Sequence, residues 1–211
     1  MTAPMVRRIL ITNDDGINAP GLARLEKIAR NLAEEVWIVA PEHDRSGAGQ
    51  SISIHHPLRV YQTGEVGAVL SAHHMNIPAI ALSQAFLSRE GIDWAPVEQF
   101  GEAVIRKLWQ PGGTLAWNVN FPACEVGDIV SARWSKQSSG SIQQARLQAG
   151  QDSRSLPYWW LGFDRSSRHI VAPDSDVAVL RDNAVAITPL RHEGTLPGGT
   201  KEFDLSAMLA G

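Results

Sequence analysis

Hydrophobic positions along the 211-residue chain fall into short apolar runs alternating with stretches of helical spacing. Residues 8–12 (Arg8-Ile9-Leu10-Ile11-Thr12) read as a buried strand. Leu22, Leu25, Ile28 or Ala29, and Leu32 then recur at helical spacing, which predicts a helix over 20–33. Pro20 suits its first turn, where a missing donor costs nothing. Val36-Trp37-Ile38-Val39-Ala40 is a second buried strand, stopped by Pro41. Strand, helix and strand over this length predict a βαβ unit, with a parallel pair and a right-handed crossover.

The same reading places an arm or hairpin over 51–61 and a helix over 66–75. Further buried strands follow over 78–83 and 115–121, with an amphipathic helix between them marked by Val97, Phe100, Val104, Ile105 and Leu108. Beyond Pro122 the character changes. Residues 129–136 and 157–163 are aromatic-rich β candidates separated by a polar stretch, and 184–190 is a late strand before a short tail. The predicted class is α/β: a Rossmann-like parallel sheet flanked by helices over 1–122, then a β-rich extension over 123–211.

Composition narrows the function. The apolar fraction of 44% is ordinary for a globular protein, and a net charge of −3 offers no grip on duplex nucleic acid or an anionic membrane. The one cysteine, Cys124, excludes an intramolecular disulfide and a cysteine-rich zinc cluster, which suits the cytoplasm. No run approaches the length of a transmembrane helix, and the N-terminus leads into a strand, not a signal-peptide core.

The chemistry concentrates where the first strand ends, at Asn13-Asp14-Asp15-Gly16. A strand-to-helix corner is where ligands bind in an open α/β sheet. Two adjacent ionised carboxylates repel each other, and a hard divalent cation removes that penalty. A lone Asp-Asp-Gly elsewhere would read as a solvated turn. Gly16 lets the chain turn so that both side chains reach one ion. Asn13 either contacts the ion or braces the turn.

The loop Glu42-His43-Asp44-Arg45-Ser46-Gly47-Ala48-Gly49 also follows a strand and should face the same crevice. Ser46 offers a hard oxygen ligand, and Gly47 and Gly49 allow an anion-binding nest of backbone N–H groups. This donor set suits a phosphate ester held by one Mg²⁺ or Mn²⁺ ion per subunit, with attack by a water of lowered pKa. One of the two aspartates would orient or deprotonate that water. An aspartyl-phosphate is the competing route, disfavoured because the usual Asp-x-Asp spacing is absent.

Weaker candidates have plainer readings. His55-His56 and His73-His74 suit a strand's two faces or a helix edge better than one ion. His43 could help position a phosphate. Trp159-Trp160 could stack on a base but fits a core or subunit interface better, and Cys124 has no base partner in sequence. A phosphate-accepting receiver domain is disfavoured by the long β extension and the lack of a lysine-bearing later strand.

Residues 9–21, from Ile9-Leu10-Ile11-Thr12-Asn13-Asp14-Asp15-Gly16 to Pro20-Gly21, resemble the opening motif of the SurE family, the stationary-phase survival proteins. Val39-Ala40-Pro41 through Ser46-Gly47, Ile77 through Ser83, Asn118 through Pro122, and Ala186 through Leu190 resemble further family segments in the same order. The resemblance implies a cytoplasmic, metal-dependent phosphatase acting on nucleoside 5′- and 3′-monophosphates. It also implies a homodimer or homotetramer whose β-rich extension exchanges between subunits. The family's metal is held by the paired aspartates, a serine and an asparagine; the first three fall on Asp14, Asp15 and Ser46.

The asparagine has no counterpart. Between Val60 and Gly67 the family carries several dozen more residues, including a strand that ends in that ligand; here Thr63-Gly64-Glu65-Val66 joins the two sides. Either the written sequence omits a segment that the protein carries, or the chain has lost it. In the second case a strand beside the first is gone, backbone groups on both neighbours are unpaired, and activity should be weak or absent.

Overall fold

The computed structural model describes residues 3–44, 50–52, 60–62, 65–88, 91–109, 116–129, 131–138, 142–151, 157–165, 171–190 and 202–204. The chain opens with strand β1 (Val6–Ile11), helix α1 (Pro20–Leu32) and strand β2 (Ala33–Ile38), with β1 and β2 parallel. This is the expected βαβ unit. Pro20 does lie in the first turn of α1, and no side chain caps that end. Ile11, Leu22 and Ala29 form a buried cluster joined by Ile9, Val36 and Ile38, so one face of the pair is covered by α1.

Strands β3 (Gln50–Ile52) and β4 (Val60–Gln62) pair antiparallel, at the two ends of the stretch predicted as an arm or hairpin. Helix α2 (Glu65–His74) leads to β5 (Ala79–Gln84), helix α3 (Ala95–Leu108) and β6 (Ala116–Phe121). β5 and β6 are parallel, which makes a second βαβ unit. Strands β7 (Ser131–Trp134), β8 (Ile142–Gln151) and β9 (Pro157–Arg165), helix α4 (Asp176–Arg181), and strands β10 (Val185–Pro189) and β11 (Glu202–Asp204) complete the described elements. The protein is an α/β structure with parallel strand pairs flanked by helices.

The sheet is split. One sheet holds only β1 and β2; a five-stranded sheet runs β11-β7-β10-β6-β5. Among the described residues, β1 pairs only with β2 and β5 only with β6, so each has an edge with no strand beside it. The five-stranded sheet also crosses residue 122: β10 inserts between β6, to which it is antiparallel, and β7, to which it is parallel.

Helices hold the two sheets together. Ile28 and Leu32 of α1 share a buried cluster with Val97, Phe100, Val104, Ile105 and Leu108 of α3, Val119 and Phe121 of β6, and Val185 and Ile187 of β10. The helices approach closely at Gly101, where a Cβ would come within 2.8 Å of Ile28 Cδ1. Polar contacts border this seam. Asn31 Nδ2 donates to Glu102 Oε2 at 2.9 Å, and Arg106 Nη2 donates to the Asn31 carbonyl at 3.0 Å.

Two sequence expectations need correction, and one helix was not foreseen. The runs over 8–12 and 36–40 are only half-buried: Leu10 is 62% exposed, Trp37 51% and Val39 61%. An apolar run is fully covered only when both faces of its sheet are packed, and here α1 covers one. The polar stretch before residue 157 contains a ten-residue strand, β8, which pairs with β9 over almost its full length. Helix α4 had no sequence signal, because six residues are too few for a period to show; Ser175 caps it, its side chain accepting from Ala178 N. Among the described residues no helix is long and apolar enough to cross a membrane.

Candidate metal centre

The loop after β1 is built around Gly16. Its φ of +108° is a conformation that side chains rarely adopt. Asn13 Nδ2 donates to the Gly16 carbonyl at 3.1 Å and the Ala19 N–H donates to it at 3.0 Å, closing the turn ahead of α1. The loop after β2 lies directly against this turn. Ile17 N donates to the Pro41 carbonyl at 2.8 Å, and a Cβ on Gly16 would sit 3.3 Å from the His43 carbonyl carbon and 3.4 Å from Asp44 N. The start of the Glu42–Gly49 loop therefore packs against the turn that follows Asp14 and Asp15. Ser46, Gly47 and Gly49 lie outside the described residues.

Asp14, half-buried, and Asp15, exposed, are joined by a third carboxylate that sequence reasoning missed. Glu65, the first residue of α2, is half-buried, and one oxygen from each of the three residues lies within 4.8 Å of the others. Burial pushes the Glu65 carboxyl above its usual range; its own backbone N–H opposes this, while the charges of Asp14 and Asp15 and a hydrogen bond with Asp14 add to the rise. Carboxylates this close repel one another, and a divalent cation between them removes that cost. One signal was available in the sequence: Glu65 is the only acidic residue between Asp44 and Glu90.

The donor set fits a divalent ion. Hard oxygens bound at roughly 2.0–2.6 Å from a common ion stand within about 5 Å of one another. In the same loop Asn13 Oδ1 is buried with no hydrogen-bond partner. Among the described residues neither Asp14 nor Glu65 has a Lys or Arg partner.

The weaker candidates separate from this centre. His73 and His74 fall in the last turn of α2, at the opposite end from Glu65, and the His74 ring contacts the Leu70 carbonyl at 2.7 Å. The His43 side chain is exposed beside Glu42. Burial raises the Cys124 thiol, and the nearby Asp128 charge adds to the rise, so the residue is a poor nucleophile. Trp159 is exposed on the β8–β9 hairpin, and His55 and His56 lie outside the described residues.

Known proteins resemble this chain in sequence and in fold. Residues 9–65 and 60–144 match the family model described as survival protein SurE. A Burkholderia lata protein named 5'-nucleotidase SurE 1 is 35% identical, covering 92% of this chain and 94% of its own length. A Bradyrhizobium diazoefficiens protein named 5'-nucleotidase SurE is 32% identical, covering 89% and 94%. The crystal structure of the SurE protein from Aquifex aeolicus superposes with a TM-score of 0.63 at 20% identity, covering 89% of this chain and 94% of that one, and so shares the fold.

The Burkholderia alignment spans 246 positions yet takes in 92% of the 211 residues, about 194, so about 52 positions lie opposite gaps in this chain. The two stretches matching the family model meet at residues 60–65, immediately before α2 and beside the split in the sheet. With a family model matching residues 9–65 and 60–144 and relatives at 35% and 32% identity over about nine-tenths of its length, the chain belongs to the SurE family.

Proposed function

We propose that this chain is a phosphatase that uses a divalent metal to hydrolyse nucleoside 5′- and 3′-monophosphates. The observation that carries the reading is the convergence of Asp14 and Asp15 on one point at the carboxyl end of β1. Relatives named 5'-nucleotidase, covering about nine-tenths of the chain, support the substrate class. Asp14, Asp15 and Ser46 hold the metal in this reading, while Asn13, Ser46 and Gly47 face the phosphate. When bound, a Mg²⁺ or Mn²⁺ ion supplies charge neutralisation at phosphoryl oxygens and a lowered pKa for water. Asp14 or Asp15 orients the attacking water and accepts its proton, and the Gly16 turn keeps both carboxylates on the crevice side.

The protein works in the cytoplasm as a homodimer or homotetramer, through the extension over 123–211. Support comes from the β8–β9 hairpin, where Leu147 and Trp159 stand more than three-fifths exposed. Their register pairs, Leu147 with Leu161 and Trp159 with Ala149, put them on one face, as an intersubunit arm would need.

Asp14→Asn tests the enzyme directly. Phosphate release from nucleoside monophosphates with Mn²⁺ or Mg²⁺ should fall to background while the far-ultraviolet circular dichroism spectrum is unchanged; retained turnover would overturn the assignment.

A second reading, a catalytically impaired homologue acting in binding or assembly, is favoured by the split sheet and by the roughly 52 alignment positions that lie opposite gaps in this chain. The intact mass of the denatured protein decides which chain is assayed. Metal-dependent turnover by a species of 23.0 kDa would rule the impaired reading out.

A further inference from the structure

Asp14 and Asp15 hang from the loop after β1, in the two-stranded sheet. Glu65 reaches them from the other side of the split. α2 sits on the five-stranded sheet, with Val66, Val69 and Leu70 packed among Ala79, Ala81, Ala116 and Leu190. That apolar face anchors the helix, and its first residue stands over the carboxylate turn. Helix and turn are otherwise far apart in topology, because no strand bridges β1 and β5 among the described residues.

We propose that Glu65 is a ligand of the divalent cation. It supplies a third protein carboxylate from the first residue of α2, so the ion ties the β1–β2 pair to the five-stranded sheet across the gap. The assignment rests on the metal reading of Asp14 and Asp15 given above. Its geometry is the 4.8 Å convergence of the three carboxylates, without a Lys or Arg partner for Asp14 or Glu65 among the described residues. The buried Asn13 Oδ1, lacking a donor, adds an oxygen in the same turn. Hard cations take several oxygens at once, and three carboxylates from two separately anchored elements bind more tightly than two from one loop. Glu65 also lies where the two stretches that match the family model meet.

The test is calorimetric titration of the full chain with Mn²⁺, paired with water-proton relaxation of the bound ion. The wild type should bind one Mn²⁺ per chain, and Asp14→Asn should abolish the heat. Glu65→Gln, which keeps shape and removes charge, should weaken binding at least about tenfold. Its bound Mn²⁺ should also show higher relaxivity, because a water takes the vacated position. Glu65→Asp, which keeps the charge with a shorter reach, should raise relaxivity in the same direction.

Unchanged relaxivity in both variants would overturn the proposal even if affinity fell, since Glu65 would then act only as a nearby charge. Wild-type affinity in Glu65→Gln would also overturn it, leaving the Asp14–Asp15 reading in place. No Mn²⁺ binding by the wild type would overturn both.

Discussion

Strands β1 and β10 look alike as sequence and behave differently in the fold. Ile9-Leu10-Ile11 and Val185-Ala186-Ile187 are both short apolar runs that read as buried strands. β10 has strands on both edges, and Val185, Ala186 and Ile187 are each 0% exposed. Among the described residues β1 has one paired edge and one covered face, and its central Leu10 is exposed. Hydrophobicity states what a strand can bury; neighbours on its edges and faces decide what it does bury. Between Leu10 and its register partner Trp37, the open face carries an apolar pair where a doubly covered sheet would have its second core.

The contrast is sharpest in stability. Ile187→Ala should cost about 2–5 kcal/mol, because a fully enclosed side chain leaves a cavity behind. Leu10→Ala should stay within about 0.5 kcal/mol, the range of ordinary surface changes. Urea denaturation of the two variants measures the difference, and equal costs would show that β1 is covered in solution. A smaller effect comes from the turn between the sheets. Gly16→Ala should lose about 1–3 kcal/mol, since alanine at φ +108° is strained and its Cβ would crowd the backbone of residues 42–44. Thermal melts should show this loss, and Mn²⁺ affinity should fall with it as Asp14 and Asp15 shift.

The smallest effect tests what steadies the open face. The Trp37 indole donates to Glu35 at 2.7 Å and Arg8 pairs with it at 2.8 Å, so both hold the Glu35 carboxyl below its usual value of 4.5. A depressed carboxyl contributes stability that is present above its unfolded pKa and lost as pH falls through the folded one. Glu35→Gln should therefore melt slightly below wild type at neutral pH, and the gap should close in acid. A gap that is constant with pH would assign the effect to packing instead of charge.

Much of the fold was legible from periodicity. Both long amphipathic helices, the βαβ opening and the late strand β10 fall within a few residues of their predicted places. Strand β8 was hidden because its run of Gln, Ala and Arg carries little β preference; cross-strand pairing with β9 makes it a strand. At the centre, Asp14 and Asp15 announced themselves because adjacent carboxylates need a reason to coexist. Glu65 did not, because a single acid at a helix start is favoured by the helix dipole alone. Its position against Asp14 exists only after α2 has docked on β5 and β6.

By itself the sequence determined the local features: the long amphipathic helices and most apolar strands, the glycine turn after β1, and the family. Each depends on residues close together along the chain. Tertiary structure alone decided that β10 enters the sheet beside β6, that α1 and α3 join two sheets that no strand connects among the described residues, and that a third carboxylate faces the other two. These depend on edges, faces and distances between segments far apart in sequence, and no local pattern encodes such separations.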